Sequence, residues 1–593
     1  MKRWIILLFI IASVMMTGCE TVEYAIPFSE GGRFTGCATG YVEEITIELV
    51  VQNGAIIEID SLGVNESFSL AEQAKDEIFE RIISNQVLPA EAVSGATTTS
   101  LALIEAVEAA IVAAGMEPAY FKQASIKAIE EEIHQDQTFD IVVIGGGAAG
   151  LAAAVEASLQ GKSVILIEKL PFVGGNTALS GGEMSVPGSD LQKQLGIEDD
   201  VDTMIGDIYA GGRKTGKLEL IQTFCENINS TLQWLEETIG VEYQTRVYTV
   251  SGHSVPRTVI PIGLGAGIVD RLLFLAESNG VQVIYNAKAT DIMIDETGRV
   301  FGVYATVNSQ EHRIFAREKT ILASGGFSAN VEMREHYNTQ WASLGSEVLT
   351  SNSPGITGDG ILMAEKIGAK LIDMEFIQLF PYNNPASGKH YYLDNIRASA
   401  GAFFVNQEGE RFVNEDEVRD IVAGRILEQT AQTSYEIFTQ SIIDTLSDDP
   451  VALEEVERWL NQGVLIKRDT IQECAAYFGV NKHEIQKTLD QYNQYIVNGK
   501  DEAFDRTLGF KPLLNGPFYM LEGVPSVHYT MGGVAITQHA EVVNTEGNII
   551  PGFYAAGEVT GGIHGENRLG ACAVPDALVF GRIAGGYAPV LED

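Results

Sequence analysis

The chain is poor in cysteine, poor in positive charge and without a long apolar run. Its 593 residues include five cysteines, at 19, 37, 225, 474 and 572, and none stands in a CxxC or CxxCH pattern. That excludes c-type haem attachment and leaves no local set of thiols for zinc or an iron–sulfur cluster, so no metal site is expected. Cys37, Cys225, Cys474 and Cys572 read as structural thiols. Lysine and arginine together number 39 against 80 aspartates and glutamates, a net charge of −41. A chain of that charge repels nucleic acid, and no basic cluster offsets the repulsion. The acidity reads as a solvated surface. Internal repeats and low-complexity tracts are also missing. The uncharged apolar run Trp4–Met16 is too short to span a membrane comfortably.

That run follows a basic start, Met1-Lys2-Arg3, and ends in Met16-Thr17-Gly18-Cys19. The pattern resembles a bacterial lipobox. By that resemblance residues 1–18 are a signal peptide, Cys19 is lipidated, and the mature protein is lipid-anchored outside the cytoplasmic membrane. Residues 19–33 read as a linker. The length exceeds what one core supports, so two to four domains are expected.

Residues 34–116 read as a small α+β module. Ile45, Ile47, Leu49 and Val51 alternate on one strand face, and Asn53-Gly54 before Ile56-Ile57-Glu58-Ile59 signals a hairpin. Amphipathic helices are predicted near 69–84 and 100–114. Between them Glu91-Ala92-Val93-Ser94-Gly95-Ala96-Thr97 carries a Ser-Gly-Ala-Thr motif. The bland reading is a helix N-cap. The module resembles the FMN-binding domain of exported electron-transfer proteins, in which a flavin transferase esterifies FMN onto the motif threonine. The resemblance implies covalent FMN on Thr97, with Glu91 where that family has aspartate. Residues 117–138 read as a linker helix.

The larger remainder is organised around Phe139–Glu168. Ile141–Ile144 is an apolar run, as a buried parallel strand should be. Gly145, Gly147 and Gly150 follow at GxGxxG spacing, with Ala149 among them, then a predicted helix over 151–160 and a second strand over 163–167. Glycines at a helix N-terminus let a pyrophosphate approach backbone N–H groups. Glu168, 18 residues past Gly150, sits where an acid accepts a ribose hydroxyl. Lys169 follows it. Further glycine-rich turns adjoin apolar runs: Gly175-Asn176-Thr177, Gly181-Gly182, Ser324-Gly325-Gly326, Asp359 in TGDG, and Gly557-Glu558. A glycine-rich return this near the C-terminus favours FAD over a nicotinamide cofactor.

IGGGAAG, EK…GGNT, ASGGF, TGDG, HYTMGG, AAGEVTGG and NRLG with VFGRIAG occur in one order. Together they resemble the FAD-binding flavoproteins of the fumarate reductase and succinate dehydrogenase superfamily, in its flavocytochrome c fumarate reductase and urocanate reductase branch. The fold implied is α/β: a Rossmann-like FAD-binding domain (139–372 and 528–593) interrupted by an α+β clamp domain (373–527). The FAD implied is non-covalent. The chemistry implied is hydride delivery from reduced FAD to the β-carbon of an α,β-unsaturated carboxylate, with protonation of the α-carbon. By the same resemblance His528 and Arg568 bind the substrate carboxylate. Arg419 binds substrate and donates the proton, fed by a relay of Asp394 and Arg397. An ordinary surface ion pair with Asp420 is the plain alternative for Arg419.

Departures from the fumarate pattern narrow the substrate. Phe380, in Gln378-Leu379-Phe380-Pro381, stands where fumarate reductases carry a histidine, and Leu393 stands where they carry a threonine, with Tyr391 two residues earlier. An unpaired carboxylate buried there would cost several kcal/mol, on the order given for broken buried pairs. The expected order is urocanate, then aryl or alkyl acrylates, then fumarate. Without haem, electrons are expected to reach FAD through FMN from a membrane donor, a quinol or NADH-linked system. A ketosteroid-type dehydrogenase shares the FAD motifs but not the His528, Arg419 and Arg568 set. A non-catalytic lipoprotein carrying electrons through two flavins is the alternative of another class.

Overall fold

The computed structural model describes residues 32–39, 44–52, 55–61, 75, 78–80, 82–83, 88, 97–114 and 137–591. Within the last span 171, 251, 308–309, 387, 389, 392, 394–395, 397–400, 447–449 and 508–510 are excepted. Cys19, Glu91, Asp394 and Arg397 therefore lie outside the described residues, as do the leader and most of the helix expected near 69–84. Among the described residues no helix is long and apolar enough to cross a membrane, and no cluster of His, Cys, Asp or Glu could hold a metal ion.

The N-terminal unit is a three-stranded antiparallel sheet, Gly32–Thr39, Glu44–Gln52 and Ala55–Ser61. The last two form the hairpin, with Gln52 opposite Ala55. Ile45, Ile47, Leu49 and Val51 are all buried, because side chains two apart share a face. That face packs on the helix Thr97–Ala113 through Leu103, Ala106, Val107 and Ala110. Thr97 is the first residue of this helix. The same core contains Phe172, only 3% exposed, with Leu170 and Ala178 packed against it. These three belong to the next unit.

That unit is built on an eight-stranded sheet. Gln137–Ile144 lies between Gln310–Leu322 and Val164–Ile167, parallel to both. Gln282–Ile284 extends one side and Ile549–Ala555 the other, also in parallel. Lys288–Ile294 and Val300–Val307 add an antiparallel meander. Helices cover the sheet, among them Ala148–Leu159, which packs on Leu264–Ser278 and on Ala573–Gly585. The first helix starts three residues before the expected 151, at the turn itself. The central strands are buried on both faces, which explains why they read as continuous apolar runs.

A second, five-stranded antiparallel sheet joins Ile377–Asn383, Phe518–Thr530, Ser434–Thr439, Phe403–Val405 and Leu465–Arg468. It has its own core, from Tyr382 to Leu521. Two of its strands serve both units. Ile377, Leu379 and Val527 pack in the FAD-side core, whereas Tyr382 and Tyr519 to Leu521 pack in the clamp core. The functional cavity lies beside these shared strands.

Candidate active site

A cavity of about 1410 Å³ runs from the Gly145 turn to the clamp. That exceeds the few hundred to ~1,000 Å³ of a usual small-ligand pocket, as a dinucleotide plus a small acid requires. At one end it meets the N-terminus of Ala148–Leu159, whose N-cap residue, Gly147, has no side chain to cap it. Its first N–H groups are thus free to face a ligand, apart from Ala148 N, which donates to Thr177 Oγ1 at 3.3 Å.

The glycines divide into two kinds. A Cβ at Gly150 would lie 1.9 Å from Gly145 O, so this glycine serves helix–strand packing. Cβ atoms at Gly147 and Gly175 would meet almost nothing: Gly174 O at 3.9 Å in the first case, no atom within 4 Å in the second. Both residues line the cavity. Open space over backbone at an uncapped helix start fits the phosphates of FAD. Gly145, Ala149, Glu168, Lys169, Asn176, Thr177, Gly181, Ser324, Gly325, Asp359, Gly557 and Glu558 also line it. Gly150, Gly182 and Gly326, expected to touch cofactor, do not; they pack against neighbouring protein atoms instead. A Cβ at Gly182 would press on Gly265 N at 2.7 Å, and one at Gly326 on Thr530 Oγ1 at 2.0 Å.

The polar groups of the cradle tie distant segments together. Glu168 accepts from Gly146 N at 2.8 Å and from Leu170 N at 2.9 Å. Burial raises its carboxyl above the usual range. Lys169 Nζ donates to Thr357 Oγ1 at 2.7 Å and pairs with Asp359 at 2.9 Å. Glu558 accepts from Thr530 N at 3.0 Å and from Asn176 Nδ2 at 3.2 Å. Asn176 in turn accepts from Ser353 N at 2.8 Å. Residues nearly four hundred positions apart are thereby clasped together at the wall of one cavity.

At the clamp end the Phe380 ring is the hub. The Arg419 guanidinium lies 4.8 Å from its centroid, His390 4.0 Å and His528 5.1 Å. Arg419 begins the helix Arg419–Leu427. Asp420 beside it pairs with Arg213. Arg568 is 4% exposed and sits 4.7 Å over the Tyr529 ring. It donates to Leu569 O at 2.9 Å and Gln378 Oε1 at 3.1 Å, and its Nε has no partner among the described residues. His528 Nδ1 is 2.9 Å from Ser351 Oγ. Burial, then the charges of Arg568 and Arg419, hold its pKa well below the ordinary histidine value, so the ring is neutral.

Tyr391 and Leu393, expected on the substrate wall, do not line the cavity. Both are buried in the clamp core. The Tyr391 hydroxyl donates to Glu522 O at 3.1 Å and its ring meets the edge of Trp459. Leu393 N donates to Glu455 Oε2 at 2.5 Å. Their side chains are spent in packing that core, and His390, just before them in the chain, reaches the cavity instead. An imidazole thus stands against Phe380 after all, supplied from another segment. Sequence reasoning also missed Glu455, Arg458 and Trp459, which reach the cavity from the clamp helix Pro450–Asn461, and Glu183. No local period marks any of them; each depends on tertiary placement.

The FAD binding domain family matches residues 140–574, and the FMN-binding domain family matches residues 40–112. The chain is 40% identical over 568 residues to a urocanate reductase of Eggerthella lenta, covering 95% of this chain and 93% of that protein. It is 35% identical over 454 residues to a cytochrome-type fumarate reductase of Shewanella frigidimarina, covering 76% of this chain and 77% of that one. A solved flavocytochrome c3 fumarate reductase in its open conformation superposes with a TM-score of 0.66 at 33% identity, over 76% of this chain and 78% of that chain. The two flavin-domain matches account for both the cradle and the small module ahead of it, and the chain belongs to the FAD-dependent oxidoreductases of the fumarate and urocanate reductase family.

Proposed function

We propose that this chain reduces the C=C bond of an α,β-unsaturated monocarboxylate, with urocanate as first choice. The observation that carries the reading is the meeting of Arg419 and neutral His528 around the Phe380 ring, with Arg568 near enough to depress the His528 pKa, in one cavity with the FAD cradle. The relatives named above reduce enoates and belong to the same family, which supports the reaction class.

The residues divide the work as follows. Arg568 and His528 hold the carboxylate. Ser351 Oγ engages Nδ1 at 2.9 Å, which leaves Nε2 to face the substrate. Cationic and N–H donors there stabilise the negative charge that builds toward the carboxylate as the β-carbon gains a hydride. Reduced FAD supplies that hydride when bound. Arg419 delivers the proton to the α-carbon; a guanidinium with a pKa above ~12 needs a relay to do so, and Asp394 with Arg397 is the relay we assign. Phe380 and His390 form the wall for the β-substituent, where an imidazole or aryl ring stacks better than a second carboxylate.

Electrons reach FAD through FMN esterified to Thr97 by a flavin transferase. The packing of Phe172 in the FMN module core supports this, because the next residues, Gly175 to Thr177, line the FAD cavity. The donor is a membrane quinol or NADH-linked system, and the enzyme is tethered outside the membrane through Cys19.

The test is anaerobic reoxidation of reduced methyl viologen. Urocanate is expected to drive it fastest, cinnamate-like acrylates less well, fumarate least. A faster rate with fumarate than with either monocarboxylate overturns the substrate reading. No rate with any enoate leaves an electron carrier with two flavins as the better account.

A further inference from the structure

Arg213 has no part in the roles assigned so far, yet it connects two segments that do. It stands two residues past the helix Val201–Gly211. It and Lys214 have φ of 54° and 63°, in the left-handed region that residues other than glycine rarely adopt. Such backbone persists where the surroundings fix it, and here they include the loop that leads to Arg568. Glu566 N donates to Gly212 O at 3.2 Å and to Thr215 Oγ1 at 2.9 Å. Lys217 N donates to Gly562 O at 2.7 Å. A Cβ on Gly212 would lie 2.3 Å from His564 O, and one on Gly565 2.4 Å from Gly212 O. The two loops therefore touch backbone to backbone.

From that base the Arg213 side chain reaches in two directions. One terminal nitrogen donates to Glu566 Oε2 at 3.1 Å, two residues before Arg568. The other donates to Asp420 Oδ2, next to Arg419. Asp420 lies in the first turn of the helix Arg419–Leu427, where a carboxylate suits the positive end of the helix dipole. That helix sits between the two large cores: Val422 and Ile426 pack in the clamp core, Ala423 in the FAD-side core. Arg419 itself lines the cavity. A Cβ on Gly570, two residues past Arg568, would lie 3.1 Å from an Arg419 terminal nitrogen. The Arg213 side chain is 47% exposed. An ion pair that exposed adds little stability, so what it fixes is a geometry.

We propose that Arg213 is a positioning residue. With Asp420 and Glu566 it holds the start of the Arg419 helix at a set distance from the Arg568 loop. The proton donor then meets the α-carbon of a substrate whose carboxylate Arg568 holds. The inference rests on the reductase reading above. Two nitrogens of one planar guanidinium serve the two carboxylates, a fixed fork that a lysine ammonium reproduces only in part.

The experiment compares the flavin-loaded protein with Arg213→Gln, Arg213→Lys, Asp420→Asn and the variant carrying both Arg213→Gln and Asp420→Asn. Arg213→Gln is expected to lower kcat for urocanate about tenfold and to change KM by less than about twofold, because Arg568 keeps Gln378 and Leu569 as partners. The solvent deuterium isotope effect on kcat should rise with it, as proton delivery becomes the slow step. Asp420→Asn should lose as much, the double variant no more than either, and Arg213→Lys should recover part of the rate. Hydrogen exchange should quicken in the helix Arg419–Leu427 and stay unchanged in Ala148–Leu159. Unchanged kcat and isotope effect in Arg213→Gln overturn the proposal. So does a loss of rate that accompanies loss of bound FAD, because the residue would then serve the fold. Additive losses in the double variant overturn it as well, because Arg213 would then act apart from Asp420. If the unaltered protein reduces no enoate, the reductase reading fails instead. Exchange in the helix Arg419–Leu427 then still shows whether Arg213 holds it, and unchanged exchange there overturns the positioning role.

Discussion

Phe380 does more than remove a histidine. Its ring is touched by Arg419, His390 and His528, so one side chain orients the residues proposed as proton donor and carboxylate ligand together. A cation over an aromatic face is worth about 0.5–2 kcal/mol, and the ring's packing adds to that. Phe380→Leu is expected to lower kcat about tenfold with flavin content unchanged, read by viologen reoxidation and by absorbance. Arg419→Ala is expected to abolish turnover while the flavin spectrum persists; retained activity would remove Arg419 from the proton-donor role. His528 adds a pH signature. Its folded-state pKa lies well below the ordinary value, because burial and the neighbouring guanidinium groups disfavour imidazolium. The unfolded chain binds that proton below pH ~6.5, and the folded protein does not. Stability should therefore fall as the pH drops below about 6.5, by up to about 1.4 kcal/mol per pH unit for this group. His253, depressed mainly by burial, acts with the same sign. His528→Gln should flatten the dependence of thermal unfolding on acid pH; an identical slope would show that the ring is protonated in the folded state.

Among the elements, the turn into helix Ala148–Leu159 does two separable jobs. Gly150 lets the helix touch the strand, and Gly147 leaves room above the backbone. Gly147→Leu should fill that room and cut bound FAD at least tenfold, with the far-UV circular dichroism unchanged. Gly150→Ala should instead lower thermal stability even without flavin. The two strands shared by the cores have a comparable double duty. Ile377–Asn383 and Phe518–Thr530 carry Phe380 and His528 and pass from one hydrophobic core to the other. Any movement of the clamp must therefore move those side chains relative to the flavin cradle. The hairpin that pairs Gln52 with Ala55, the buried face of Ile45 to Val51 and the strand–turn–helix at Gly145 were all legible beforehand, because each rests on a local period or a turn chemistry. Tyr391 and Leu393 were misplaced because neither lies in a strand, so no local period says which side chains turn to the core and which to the cavity.

At the scale of the molecule, what could not be read in advance is mostly what three units do to one another. Glu183, Glu455, Arg458 and Trp459 are ordinary residues in their own segments. They become cavity walls only when the clamp helix and the strand Met184–Ser185 are brought to the flavin cradle. Phe172 is the clearest case. It belongs to the FAD-binding portion yet is buried among Ile47, Leu49 and Val107 of the FMN module. Phe172→Ala should cost that module about 3–5 kcal/mol. Hydrogen exchange should then quicken in the helix Thr97–Ala113 while the central strand Gln137–Ile144 stays protected. Equal quickening in both would mean that the two units open together.

The borrowed ring also bears on how such an enzyme can be recombined. A module that completes its core with a neighbour's side chain is not freely portable. Transplanted alone to another reductase, residues 34–116 would arrive with a hole where Phe172 belongs. A working chimera would have to import the Leu170–Ala178 loop as well, or supply a large apolar residue in its place.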